Sequence, residues 1–133
     1  MGTVAMISDP GRATILVVDD HQGPRDLLAL DLRPSYEVLT ATTAKRAMQD
    51  LRVHRIDLVI QDVGLPDMDG LKLLQETKAL HPQLPIILIS GGGTVCSADE
   101  AMQFGAAAYL LKPFNLEEIR ILIAEILSTL GMG

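Results

Sequence analysis

Five polar residues stand directly after four short apolar runs of the chain: Asp19 and Asp20 after the first, Asp62 after the third, Ser90 after the fourth and Lys112 after the fifth. Carboxylates brought to one place repel one another, and they are tolerated chiefly with a cation among them. Ligands that are all oxygen select Mg²⁺, Mn²⁺ or Ca²⁺. Lys112 adds a compact positive charge and Ser90 a hydroxyl donor, both suited to phosphoryl oxygens and of little use to a neutral ligand. A carboxylate in such a site can act as a nucleophile and form an aspartyl phosphate. A metal ion and Lys112 would neutralise the charge that develops.

That chemistry requires the five residues to meet, and the pattern of elements says where. Thr14 to Val18 is a short β-branched run, as in a strand buried on both faces. Gly23-Pro24 opens a helix that Pro34 stops, and Tyr36 to Ala41 reads as a second strand. Thr43 begins a helix to about Val53, Ile56 to Gln61 forms a third strand ending at Asp62, and a helix runs from about Gly70 to Leu80. Ile86 to Ile89 is a fourth strand, followed by Ser90 and three glycines whose freedom predicts a mobile loop. A short helix near Ser97 to Phe104, a strand from Ala107 to Leu111 and a last helix from Leu116 to Leu130 complete the chain. Strict alternation of apolar strands with amphipathic helices predicts an α/β fold, a single parallel sheet of five strands with helices on both faces. In such sheets ligands bind beyond the carboxyl ends of the strands, and all five polar residues lie there.

Composition bounds the remaining possibilities. A chain of 133 residues suits one domain. Residues 1–13 mix Gly, Ser, Asp, Pro and Arg without periodicity and read as a flexible leader to a domain over 14–131. Aromatic residues make up 3% and Trp is absent, so the core must be aliphatic. A net charge of −6 argues against wholesale binding of nucleic acid through its phosphates. Cys96 is the only cysteine, which excludes an internal disulfide and suits a reducing compartment. No signal peptide is evident, and no apolar stretch approaches the roughly 20 residues of a membrane helix. The expected setting is the cytoplasm, with no membrane and no direct nucleic-acid contact.

Four stretches together carry a resemblance: Ile15-Leu-Val-Val-Asp-Asp-His21, Asp62-Val-Gly-Leu-Pro-Asp-Met-Asp-Gly70, Ile87-Leu-Ile-Ser90 and Tyr109-Leu-Leu-Lys-Pro-Phe114. In this order and on these strand ends the chain resembles a response-regulator receiver domain of two-component signalling, like the chemotaxis regulators, over about Thr14 to Leu130. The resemblance implies the flavodoxin-like strand order 2-1-3-4-5. It implies that Asp62 accepts a phosphoryl group from a sensor histidine kinase or a phosphotransfer protein. Mg²⁺, with Mn²⁺ as a substitute, would be bound by Asp20 directly, by Asp19 partly through water, by Asp62 and by the backbone carbonyl of Gly64. Ser90 and Lys112 would hold the phosphoryl group, and Tyr109 would change position with Ser90. The output would be a conformational switch acting on a downstream partner, on a self-dimer, or on an output domain outside this chain. Such a protein catalyses only its own phosphorylation and autodephosphorylation. Four features depart from the family pattern: Gly64 is small at a position that tunes water access, Ser90 replaces the commoner Thr, three glycines follow Ser90, and the first helix looks short, ending at Arg33-Pro34-Ser35.

Other readings compete at several positions. Asp19 and Asp20 could merely cap the first helix. Asp67 and Asp69 read as turn and cap residues, and Leu65 excludes an EF-hand loop. His21, His54 and His81 read as solvated loop side chains, and only His21 lies near the acidic edge, with no chemistry assigned to it. Tyr109 could be plain packing. On the last helix Leu116, Ile119, Leu122, Ile123, Ile126, Leu127 and Leu130 share one face, whereas Ile121 falls among polar residues. Ile121 is therefore the candidate for a partner or dimer surface on the face of the fourth helix, fifth strand and fifth helix. Two alternatives for the whole chain are a metal-dependent phosphatase with an aspartyl nucleophile and a receiver used only for docking. The phosphatase would carry Asp-x-Asp after the first strand, where this chain has adjacent acids. A flavin carrier would need a Ser/Thr-rich loop there, and the loop is acidic.

Overall fold

The computed structural model describes residues 11–91 and 97–130. Five strands alternate with five helices: β1 (Thr14–Val18), α1 (Gln22–Leu32), β2 (Glu37–Ala41), α2 (Ala44–Val53), β3 (Leu58–Asp62), α3 (Gly70–Leu80), β4 (Ile86–Ser90), α4 (Ala98–Gln103), β5 (Ala108–Leu111) and α5 (Leu116–Thr129). The strands pair in parallel in the order β2-β1-β3-β4-β5, as the sequence resemblance implies. Alternation of side chains along the strands splits the core in two. Leu16, Val18, Val59, Ile86 and Leu88 face α2, α3 and α4, where they meet Ala44, Met48, Leu51, Leu73, Leu74 and Ala101. Ile15, Val17, Leu58, Ile60, Ile87 and Ile89 face α1 and α5, where they meet Leu28, Leu32, Ile119, Ile123 and Leu127. Both faces of the central strands are thereby dry, which is why their sequences are continuous aliphatic runs.

Local chemistry sets the helix ends. Thr43 caps α2 by accepting from the Arg46 N–H, Asp69 caps α3 by accepting from the Leu71 N–H, and Asn115 caps α5 by accepting from the Glu118 N–H. Ser97 and Glu100 form a reciprocal capping box on α4. Asp67 serves a helix other than its own: its two carboxylate oxygens accept from the Ala44 and Lys45 N–H groups at 2.8 and 3.0 Å, tying the loop after β3 to the start of α2. Gly70 is a glycine for steric reasons. A Cβ there would stand 2.3 Å from the Val63 Cα and 2.8 Å from its carbonyl oxygen, and the Gly70 N–H donates to that carbonyl at 2.9 Å.

Several boundaries differ from the sequence reading. The third strand starts at Leu58 rather than Ile56, because Asp57 is held at the foot of β1, its N–H donating to the Thr14 carbonyl and its side chain accepting from the Thr14 N–H, each at 2.8 Å. The first helix begins at Gln22, before Gly23-Pro24. Ala13, placed in the expected leader, is buried in the core, and its carbonyl accepts from the Glu37 N–H at 3.0 Å. The Arg12 guanidinium reaches the Arg33 and Tyr36 carbonyls. Residues 1–10 lie outside the described residues, as do Cys96 and most of the glycine run after Ser90. No described helix is long and apolar enough to cross a membrane.

Candidate functional site

Register brings the acids together. At the carboxyl end of the sheet Val18 pairs with Gln61, Asp62 with Ile89, and Ser90 with Leu111. Asp19 therefore follows β1 beside Asp62 at the end of β3, and Lys112 follows β5 beside Ser90. The backbone holds these ends firmly: the Asp19 N–H donates to the Ala41 carbonyl at 3.0 Å, the Val63 N–H to the Ile89 carbonyl at 3.0 Å, and the Lys112 N–H to the Ser90 carbonyl at 2.7 Å. The following Lys112–Pro113 peptide bond is cis.

Asp19 and Asp62 are 5% and 3% exposed, while Asp20 reaches solvent. The Lys112 ammonium lies 2.9 Å from Asp19 Oδ2 and 3.6 Å from Asp62 Oδ1, so it is the fixed counter-charge of the pair. Asp62 Oδ2 is buried and has no hydrogen-bond partner among the described residues. Burial, and then the charge of Asp19, push the Asp62 carboxyl above the ordinary carboxylate range, against opposing pulls from Lys112 and His21. A buried carboxylate oxygen left without a donor, beside a second buried carboxylate, marks a place where a cation fits. Gly64 is exposed, and a Cβ on it would lie 3.7 Å from Asp62 Oδ2, in ordinary contact with that buried oxygen.

The structure adds a residue to which the sequence reading gave no role. His21 does not use its side chain to cap α1. Its Nδ1 turns inward, 3.0 Å from Asp19 Oδ1, 3.4 Å from Asp20 Oδ1, 3.7 Å from Asp62 Oδ2 and 3.1 Å from Lys112 Nζ. One potential ligand atom from each of Asp19, Asp20, His21 and Asp62 lies within 4.8 Å of all the others. The signal was available in the sequence as three consecutive potential ligands after one strand, Asp19-Asp20-His21. What it lacked was the direction of the ring.

Ser90 is buried at the end of β4, and Tyr109 is half-buried on β5, packed against the core that faces α2, α3 and α4. Ile121 lies away from the acids on the solvent side of α5, 55% exposed. Met102 on α4, Phe104 at its end and Leu111 on β5 are exposed too. Leu130, expected on the buried stripe of α5, is 46% exposed because the helix runs out at Thr129.

Comparison with known proteins finds relatives in sequence and in fold. A family profile described as the response regulator receiver domain matches residues 15–124. The transcriptional regulatory protein ZraR of Escherichia coli K12 is 35% identical over 115 residues, covering 86% of this chain and 26% of ZraR. The two-component response regulator ARR11 of Arabidopsis thaliana is 40% identical over 116 residues, covering 85% of this chain and 22% of ARR11. This chain thus spans about a quarter of the length of those relatives. A CheY-like receiver domain protein from Methanospirillum hungatei superposes with a TM-score of 0.82 at 30% identity, covering 89% of this chain and 95% of that one.

Proposed function

From the premise that this chain belongs to the response-regulator receiver family and is a receiver domain of two-component signalling, we propose that Asp62 is its phosphoacceptor. The observation that carries this reading is the Asp62 carboxylate, buried against Lys112 and Asp19, with one oxygen lacking a hydrogen-bond partner among the described residues and no side chain at position 64 beside it. An Asp62 oxygen forms a bond to phosphorus as the N–P bond of a phosphohistidine, on a sensor kinase or phosphotransfer protein, breaks. The electron pair returns to the donor's ring, which takes up a proton.

The donor set fits a divalent cation, with Mg²⁺ as the natural ion and Mn²⁺ as a substitute. Asp19, Asp20, Asp62 and the Gly64 carbonyl would hold it, and when bound it supplies positive charge to the phosphoryl oxygens. The protein's own contribution is to keep the acids together against their repulsion, to hold Lys112 as a second positive charge, and to place the Ser90 hydroxyl on the neighbouring strand. In the phosphorylated protein Ser90 and Lys112 bind the phosphoryl group, and Tyr109 moves with Ser90. The resulting population shift is read by a downstream partner or a second copy at the face of α4, β5 and α5, where Ile121 lies. The only chemistry is the protein's own phosphorylation and dephosphorylation, and the setting is the cytoplasm. The adjacency of Asp19 and Asp20 and the match to the receiver family disfavour the phosphatase alternative.

The test is incubation with acetyl phosphate and Mg²⁺, followed by intact-mass measurement. One phosphoryl increment is expected in the wild type and none in Asp62→Asn or in the presence of a chelator. An increment that persists in Asp62→Asn would place the acceptor elsewhere.

A further inference from the structure

An acidic cluster with a histidine in it need not favour the same ion as an all-oxygen cluster. We propose that His21 Nδ1 is a direct ligand in this site, so that its preference for a first-row transition cation over Mg²⁺ is greater than its oxygens alone would give. This rests on reading the acids as a cation site and deepens it by naming a nitrogen ligand.

Two observations carry the inference. The first is spacing. Donors bound at about 2.1 Å to one ion lie roughly 3.0 Å apart along an octahedral edge and roughly 3.4 Å apart along a tetrahedral one. His21 Nδ1 stands 3.0 and 3.4 Å from oxygens of Asp19 and Asp20, at such separations, and 3.7 Å from Asp62 Oδ2, a few tenths of an ångström beyond them. The third of these oxygens, Asp62 Oδ2, is buried and has no hydrogen-bond partner among the described residues. The second observation is a conflict of roles at one atom. Nδ1 lies 3.0 Å from Asp19 Oδ1, which only accepts, and 3.1 Å from Lys112 Nζ, which only donates. A single ring nitrogen can either donate to the carboxylate or accept from the ammonium. A cation among the three carboxylates removes the conflict, because the Nδ1 lone pair and the carboxylate oxygens then serve the same charge and Lys112 is released for an anion. Imidazole nitrogen suits Zn²⁺, Cu²⁺, Fe²⁺ and Ni²⁺, whereas Mg²⁺ is held by oxygen.

The experiment compares Zn²⁺ and Mg²⁺ affinities of the wild type, His21→Ala and His21→Asn by isothermal titration, with Asp62→Asn as a control for stray binding at other histidines. Almost any donor set binds Zn²⁺ more tightly than Mg²⁺, so the readout is the ratio of the two affinities and how it changes. The expected result is a fall in that ratio of roughly tenfold or more in both variants, carried by Zn²⁺. Asn is also a favoured residue at a helix start, so His21→Asn keeps the local fold. Mn²⁺-loaded wild type should in addition show a nitrogen coupling in pulsed electron paramagnetic resonance that is lost in both variants. An unchanged ratio and an unchanged spectrum would overturn the nitrogen ligand, and Mg²⁺-dependent phosphoryl labelling of the wild type would then leave the phosphoacceptor reading standing. A wild type that binds neither ion and takes no phosphoryl group would overturn both.

Discussion

Asp62 and Asp67, five positions apart, are pushed in opposite directions by their surroundings. For Asp62, burial and the Asp19 charge raise the carboxyl above its ordinary range. A raised folded value means that its contribution to stability is fully present below the unfolded pKa and is lost as pH rises through the folded one. Above that folded value the ionised group therefore works against folding. Asp62→Asn should raise the melting temperature in a chelator at neutral pH, and the gap should close when Mg²⁺ is added to the wild type, as thermal scans with and without the ion would show. For Asp67, the Ala44 N–H, followed by that of Lys45, holds the carboxyl below its ordinary range. Its contribution is therefore present above the unfolded carboxylate pKa and is lost as pH falls through the lower folded value. Asp67→Ala should cost about 1 kcal/mol near neutrality through loss of the helix cap. Denaturant titrations over a pH series should show that deficit shrinking in acid; a deficit that stays constant would assign it to something other than the charge. Asp67 was legible in the sequence as a capping residue, but the helix it serves begins 23 positions earlier, and only the fold reveals that.

At the scale of elements, the sequence pattern was legible because both sheet faces are covered. Strands dry on both sides appear as unbroken aliphatic runs, and α3 ends where Asp69 and His81 indicate. Less legible were ends fixed by distant partners: Asp57 holding the foot of β3 to β1, and Ala13 drawn into the core by β2. Neither contact has a local signature. The converging acids could be predicted from strand ends alone, since parallel strands all finish at the same edge. The His21 ring could not, because its direction depends on the Asp19 and Lys112 side chains. The loop that carries Gly64 is set by Gly70, whose position against the Val63 backbone leaves no space for a methyl group. Gly70→Ala must therefore move backbone, and it should reduce both stability and phosphoryl labelling. Leu74→Ala, a fully buried truncation on the same helix, should cost about 2–5 kcal/mol while the folded fraction keeps its labelling. Equal labelling in the two variants, measured below their melting temperatures, would remove the claim that Gly70 positions the loop.

Across the whole molecule, Ile121 on α5 is not among the residues that form the acidic pocket, so the proposed chemistry and the proposed docking surface can be tested apart. Ile121→Glu should weaken self-association or capture of a partner without lowering phosphoryl labelling, as sedimentation and mass measurements on the same sample would show. Association that is unchanged would move the docking surface elsewhere. Arg120 on α5 holds Asp31 on α1 through two bonds of 2.7 and 2.8 Å, which closes the face opposite α2, α3 and α4. Lys112 has a different position, at the end of a strand that pairs with β4 and forms one border of the sheet. Its backbone is fastened to Ser90 and its ammonium to Asp19, so a single residue spans from the border strand across to β1. Any anion that draws the ammonium away cuts a tether over two intervening strands, and the slack appears beside Leu111, on the protein's exposed flank.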